Sequence, residues 1–196
     1  MRNVNYRQGQ EKDCQEIAEL SYMASDGAVE YLFRDLVPNM TATEVLSNGL
    51  KRDVYPHTFR STIVAECEDK IIGMAMSYPA EFHRITSELR EFLPESRLER
   101  FTDFYSSKVE GSYFLDAIGV YPEHRRSGIG KHLLDETKKK AVIEGYNELS
   151  LIVFADNQAA IGFYKKNDFH YVESIELMRH ELMPHDGGCC LLNCKI

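Results

Sequence analysis

The sequence predicts a mixed α/β domain, on three observations. Segments with strand patterning alternate with segments of helical patterning along the whole of the 196 residues, which is the mark of a sheet layered with helices. Two strand-like runs, Ser61 to Cys67 and Lys70 to Tyr78, are joined only by Glu68-Asp69, a connection short enough to imply an antiparallel hairpin. A further strand ends at Pro122 and passes through a short loop with two arginines and two glycines straight into a helix. No repeat, low-complexity tract or Pro/Gly-rich linker divides the chain. Its length suits one hydrophobic core, so a single domain over 1–196 is expected.

The elements follow in order. Val4 to Arg7 has the pattern of a short first strand. Asp13 precedes an apolar helix face at Ile17, Leu20 and Ala24, where an aspartate can cap free N–H groups. A second helix is expected over about Gly27 to Leu36, stopped by Pro38, and a third after Thr41, through Val45 and Leu50. The hairpin follows. Ala80 to Glu110 is polar and helix-prone, with an apolar stripe of Leu89, Leu93, Leu98, Phe101, Phe104 and Tyr105. Ser112 to Tyr121 is a strand. Lys131 to Glu144 is a helix with Leu133, Leu134, Thr137 and Ala141 on its buried face, and Gly145 is its stop. Leu149 to Phe154 is almost continuously apolar, as a strand covered on both faces should be. Asn157 caps a short helix to Lys166, and strands at Phe169 to Met178 and Cys189 to Lys195 end the chain.

Composition narrows the function. Hydrophobic residues make up 43% and charged residues 28%, an ordinary globular balance. No apolar run reaches the ~18 residues of a membrane span, and the N-terminus Met1-Arg-Asn-Val-Asn-Tyr-Arg7 lacks the apolar stretch of a secretory signal. A cytoplasmic location and no membrane partner are therefore expected. The net charge of −8 disfavours nucleic acid and tolerates a cationic partner. The five cysteines, at 14, 67, 189, 190 and 194, include no Cys-x-x-Cys pair, and reduced thiols are expected. Cys189, Cys190 and Cys194, with His180 and His185 upstream, match no common zinc spacing, so no metal is expected.

The chemistry is concentrated in Leu115-Asp-Ala-Ile-Gly-Val-Tyr-Pro-Glu-His-Arg-Arg-Ser-Gly-Ile-Gly-Lys-His-Leu-Leu134. A helix N-terminus presents free N–H groups and a partial positive charge. Glycines let the backbone wrap an anion closely. Arg125, Arg126 and Lys131 add charge, and together these make a cradle for a pyrophosphate. Three anion-binding patterns compete. The P-loop fails because His132 follows Gly130-Lys131 and Arg125 stands at the first glycine position. The dinucleotide fingerprint fails because Leu133 takes its third glycine position. The pattern Arg/Gln-x-x-Gly-x-Gly/Ala is met in full by Arg125, Gly128 and Gly130.

Here the chain resembles the GNAT acetyltransferases. That pattern is their acyl-CoA signature, preceded by a strand of the form Ala117-Ile-Gly-Val-Tyr-Pro122. A second block, Leu149 to Asn157 followed by Ala160 to Phe169 with Tyr164 inside it, resembles the family's second motif. The likeness is clear over 112–178 and confined to element order over the first 80 residues. It implies a mixed, mostly antiparallel sheet of about seven strands, splayed at two central parallel strands, with helices on both faces. It also implies acetyl-CoA as co-substrate, held between the strands at 112–121 and 149–154.

By the same resemblance, backbone groups of Ile118, Gly119 and Val120 pair with the pantetheine arm, and the Val120 N–H polarises the thioester carbonyl. The pyrophosphate sits on Arg125, Arg126, Ser127, Gly128, Ile129, Gly130 and Lys131, and Asn157 contacts the pantetheine arm. Tyr164 is the implied acid or sulfur-positioning group, since a phenol is protonated at neutral pH. Asp116 is the leading candidate base. Strand alternation puts it on the face of Ile118 and Val120 unless a bulge intervenes, and Glu66 is a weaker candidate.

The 79–111 segment departs from the family's short turn and could wall an acceptor pocket through Phe82, Phe101 and Tyr105, with Glu81, Glu95 or Asp103 attracting a cation. An amphipathic helix packing by its apolar stripe is the plainer expectation. The acceptor is a primary amine, either a small molecule, which the long segment favours, or a protein amine. The alternative is a non-catalytic acyl-CoA-binding sensor, which needs the loop but not Tyr164. The terminal strands could pair across a homodimer, because exposed sheet edges invite partners.

Overall fold

The computed structural model describes residues 4–196. Seven strands form one sheet in the order β1-β2-β3-β4-β5-β7-β6: β1 (Asn5–Gln8), β2 (Thr62–Cys67), β3 (Lys70–Pro79), β4 (Tyr113–Val120), β5 (Glu148–Phe154), β6 (His170–Ile175) and β7 (Cys189–Lys195). β1–β2, β2–β3, β5–β7 and β6–β7 pair antiparallel, and β4–β5 pair parallel through Tyr113 with Leu149 and Phe114 with Ser150. The chain divides into two compact units, one made of residues up to Tyr78 with Asp116–Lys140, the other of Pro79–Leu115 with Ala141–Ile196.

The first unit holds β1 to β3, the later part of β4, the helices α1 (Cys14–Ala24), α2 (Ala28–Phe33) and α3 (Ala42–Lys51), and most of the long helix α7 (Ile129–Ile143). Its core joins Ile17, Ala18 and Leu20 of α1 with Leu50 of α3 and with Val64, Ile71 and Met74 of the hairpin. Each such side chain taken from water contributes on the order of 2 kcal/mol. The hairpin turns where expected. Glu68 and Asp69 both take left-handed φ, 51° and 61°, the conformation a two-residue antiparallel turn requires. Thr41 caps α3 as expected, accepting from Glu44 N–H while the Glu44 carboxylate accepts from Thr41 N–H.

Asp13 corrects its sequence reading. It stands before α1 but makes no cap to it. Its carboxylate instead accepts from Gln10 N–H at 2.8 Å and from Arg7, which also grips Glu66 on β2. Two N–H groups of the Arg7 guanidinium, at 2.6 and 3.1 Å, and the Gln10 N–H occupy the carboxylate, the last of these closing a capping box on the tight turn Glu11–Asp13 that precedes α1.

β4 and α1 approach closely. A Cβ added at Gly119 would lie 2.9 Å from the Leu20 carbonyl oxygen, and one added at Gly73 would lie 3.0 Å from the Gly119 carbonyl oxygen. Lys140 of α7 donates from one ammonium to the carbonyls of Ser61 and Ser77, at 3.1 and 3.0 Å.

The second unit holds the beginning of β4, β5, β6 and β7, with α4 (Ser87–Phe92), α5 (Glu95–Arg100), α6 (Thr102–Ser106) and α8 (Gln158–Lys165). The 79–111 segment is three short helices rather than one, because Pro94 cannot donate to a continuing helix and forces Leu93 out of helical conformation. Leu93, Leu98 and Phe101 of its stripe are buried, while Leu89, Phe104 and Tyr105 are half-buried. Ala80 N–H bonds the Ser112 carbonyl and Arg100 bonds the Met178 carbonyl, which tie the segment down at both ends.

α8 begins at the predicted cap, with the Asn157 side chain accepting from Ala160 N–H at 3.0 Å. All five cysteines are free thiols. Burial pushes Cys189 on β7 up to about 12, so it stays a neutral, apolar thiol in the strand. Among the described residues no helix is long and apolar enough to cross a membrane, and no three His, Cys, Asp or Glu side chains gather as metal ligands.

Candidate active site

In the first unit, the segment after β4 folds as a left-handed turn that leads straight into α7. Pro122–His124 make one tight turn, with His124 N–H on the Tyr121 carbonyl and Arg125 N–H on the Pro122 carbonyl. The backbone then enters left-handed conformation twice, at Arg126 (φ 61°) and at Gly128 (φ 88°). At Gly128 the glycine is required by that φ and not by crowding, since an added Cβ would meet nothing within 4 Å. α7 opens immediately, and its first bond is His132 N–H to the Gly128 carbonyl at 3.0 Å. The N–H groups just ahead of His132 therefore precede any intrahelical acceptor, and they carry the positive end of a helix running to Ile143.

The side chains of the turn divide their roles. Arg126, Ser127 and Gly128 are exposed, whereas Ile129 is buried and presents only its backbone. Arg125 is exposed as well, but its guanidinium is engaged locally. Its Nε donates to the Val120 carbonyl at 3.0 Å and its Nη2 lies 3.5 Å from Met23 Sδ, so it braces the end of β4. The Lys131 ammonium is engaged by Asp135 one helical turn on, at 2.7 Å, and much of its charge is compensated there.

Asp116 stands earlier on β4, still in the first unit. Tyr78 Oη donates to its Oδ1 at 2.6 Å, and His57 Nε2 lies 3.8 Å from the same oxygen and 3.4 Å from the Tyr78 hydroxyl. Tyr78 is buried, and its ring meets the His57 ring edge-on with centroids 5.4 Å apart. Asp116 and His57 keep about a quarter and a third of their side chains exposed, 24% and 35%. Asp116, Ala117 and Ile118 are half-buried in succession, so the two-residue period from which Asp116 was assigned a face does not hold along this stretch.

Sequence reading found Asp116 but neither of its neighbours. β3 and β4 are neighbours in the sheet, held by Tyr121 N–H to the Ile72 carbonyl near one end and Ala80 N–H to the Ser112 carbonyl near the other, and the Tyr78 hydroxyl reaches Asp116 between them. This signal appears only once β3 and β4 are known to be neighbours. Glu66, the weaker base candidate, is held by Arg7, with Nε to Oε2 at 2.8 Å. That guanidinium keeps its carboxyl below the usual range, which makes Glu66 a structural counter-ion.

In the second unit, α8 carries both predicted residues, Asn157 as its cap and Tyr164 in its last turn. Tyr164 is buried between Phe163 and Phe169, with ring centroids 5.4 and 5.5 Å away. Burial alone pushes its phenol well above the ordinary value, so it stays protonated through the alkaline range.

A seven-stranded, mostly antiparallel sheet with one parallel pair, and a left-handed turn opening a helix after that pair's first strand, define the class: a mixed α/β protein with a glycine turn at a strand–helix junction. Residues 29–169 match the model of the Acetyltransferase (GNAT) family. The chain belongs to that family, as its motifs implied. A Yersinia pestis acetyltransferase is 33% identical over 82 residues, which is 42% of this chain and 56% of the relative. The chain thus spans little more than half the length of the curated relatives it matches.

Among solved structures, an N-acetyltransferase from Staphylococcus aureus Mu50 superposes with a TM-score of 0.69 at 23% identity, covering 98% of this chain and 100% of that one. PaiA N-acetyltransferase from Thermoplasma acidophilum, solved in complex with coenzyme A, superposes with a TM-score of 0.57 at 16% identity over 99% of each chain. These likenesses establish the fold, and the predicted fold class is borne out.

Proposed function

We propose that the chain acts as one N-acetyltransferase domain, moving an acetyl group from acetyl-CoA to a primary amine by direct attack within a ternary complex. The observation that carries this reading is the turn. Exposed N–H groups ahead of His132, left-handed Arg126 and Gly128, and the dipole of α7 are what a pyrophosphate needs. Arg126, Ser127, Gly128, Ile129, Gly130 and Lys131 would hold it by backbone, and Arg125 would keep the turn against Val120. Ile118, Gly119 and Val120 would pair with the pantetheine arm, Val120 N–H polarising the thioester carbonyl. Asn157 would approach the arm from the start of α8.

The chemistry needs a neutral amine and a proton for the departing sulfur. Tyr164 suits the second task because it remains a phenol at any working pH. Asp116 supplies the negative charge that assists removal of the amine proton. A small-molecule amine is favoured over a protein amine by the 79–111 segment, whose three helices give this chain more wall than a short turn would. The rival reading, an acyl-CoA sensor without turnover, has no use for a buried, protonated Tyr164. Coenzyme A in the T. acidophilum relative supports the choice of cofactor.

Calorimetry with acetyl-CoA tests this reading. Wild type should bind at micromolar strength, and a folded Gly128→Glu variant should bind about 100-fold more weakly, because the substitution sets an anion where the pyrophosphate belongs. Should the strained φ at 128 unfold that variant, Arg126→Glu makes the same charge test without a glycine. No binding to wild type would overturn the assignment.

A further inference from the structure

We propose that His57 is the group that takes the proton from the acceptor amine, with Asp116 orienting it and Tyr78 holding Asp116, and that this cluster selects an acceptor arriving as a primary ammonium on a carbon chain. The inference rests on the acetyltransferase reading and deepens it. Three elements converge here: the loop between α3 and β2 brings His57, the end of β3 brings Tyr78, and β4 brings Asp116.

The hydrogen bonds assign the parts. The Tyr78 hydroxyl is buried and spends its proton on Asp116 Oδ1 at 2.6 Å, so the carboxylate cannot rotate away. With its own proton given to Asp116, the Tyr78 oxygen can only accept from His57 Nε2 at 3.4 Å, and the Asp116 oxygen lies 3.8 Å from the same nitrogen; this favours the tautomer with its proton on Nε2 and leaves Nδ1 as the lone-pair nitrogen. This is nucleophile–base–orienter logic with the amine as nucleophile. The neighbouring charges do not compete. Asp53 in the same loop is tied to Thr58 and Arg60, leaving Asp116 from β4 and Tyr78 from β3 as the groups against the ring.

The same loop gives the selectivity. Val54 and Tyr55 each leave 47% of their surface exposed, an apolar and an aromatic side chain three and two residues before His57. An aromatic face and a carboxylate both favour a cation, and the apolar side chain favours the chain that carries it. In the reaction, the ammonium gives one proton to His57 Nδ1 and becomes a neutral amine. Its nitrogen forms a bond to the acetyl carbon as the carbon–sulfur bond breaks. Tyr164 gives its hydroxyl proton to the departing sulfur, completing coenzyme A thiol, and is reprotonated by the second nitrogen proton, while the imidazolium returns its proton to water.

The test compares wild type with His57→Gln across primary amines matched in shape but not in basicity: alkyl and polyamine acceptors protonated at the assay pH, and fluorinated alkylamines neutral at that pH. Loss of a base should cost His57→Gln about 100-fold in kcat/KM on the basic amines and far less on the neutral ones. Acetyl-CoA affinity by calorimetry should be unchanged. Asp116→Asn should show the same pattern at smaller amplitude. Equal losses on both amine classes, or no loss, would overturn the assignment of His57. If wild type binds acetyl-CoA yet turns over no amine of either class, the enzyme reading falls and this inference with it.

Discussion

The turn at Arg125–Lys131 and the loop at Asp53–Thr58 are both exposed connections into regular structure, and they build sites in opposite ways. The turn is complete in consecutive residues: its strain, its donors and its bracing arginine all lie between Val120 and His132. The loop supplies one imidazole, which means nothing until β3 delivers a phenol and β4 a carboxylate. A contiguous stretch is robust to how the rest of the chain packs but sensitive to a reversal of charge within it. An assembled site draws on several elements and fails when any one of them moves.

Substitutions sharpen that contrast. The largest effect expected is on the turn, where Gly128→Glu should all but abolish acetyl-CoA binding in calorimetry while the melting temperature stays within a few degrees. Next comes Tyr164→Phe, which keeps the aromatic packing between Phe163 and Phe169 and removes only the hydroxyl. Turnover should fall roughly 30-fold with the acetyl-CoA Kd unmoved. Tyr78→Phe removes the 2.6 Å bond to Asp116 and keeps the carboxylate, and kcat should drop about 10-fold while the acetyl-CoA Kd again stays put. If Tyr78→Phe instead weakened the cofactor, the two regions would not be separable as described.

Stability offers a fourth handle, away from both regions. Burial alone would raise the Asp13 carboxyl, but bonds from Arg7 and Gln10 N–H outweigh it and hold it below its ordinary value; Arg7 does the same for Glu66. Carboxylates depressed in the folded state stabilise it above their unfolded pKa and lose that contribution as pH falls through the folded values. Denaturant midpoints should therefore decline below about pH 4, and Arg7→Ala should remove about 3 kcal/mol at neutral pH and flatten that decline. The smallest effect is Gly128→Ala, which meets no atoms and costs only the left-handed φ, about 1 kcal/mol in melting experiments.

What was legible in the sequence was what is local. The hairpin at Glu68-Asp69, the Thr41–Glu44 box, the Asn157 cap and the glycine turn all depend on neighbours a few residues away, and each stands where it was read. The break of the 79–111 segment at Pro94 was present in the sequence too, but the apolar stripe through Leu93 and Leu98 has a period that runs across it. Asp13 was misread although its partner Arg7 is only six residues away, because it is the pairing of β1 with β2 that turns the guanidinium to Asp13 and Glu66 together. His57 carried no signal at all. Nothing near it in the chain hints at a carboxylate that arrives only with β4.

Gly119 gives this contrast a history. Any side chain there strikes a backbone carbonyl of α1, and no rotamer change relieves a collision with backbone. Mutational drift is thus closed at 119 unless the first helix retreats beforehand, while Ser127, out in solvent, can wander. The ancestry of this chain should be easier to trace through the silent glycine behind the strand than through the residues that would face the substrate.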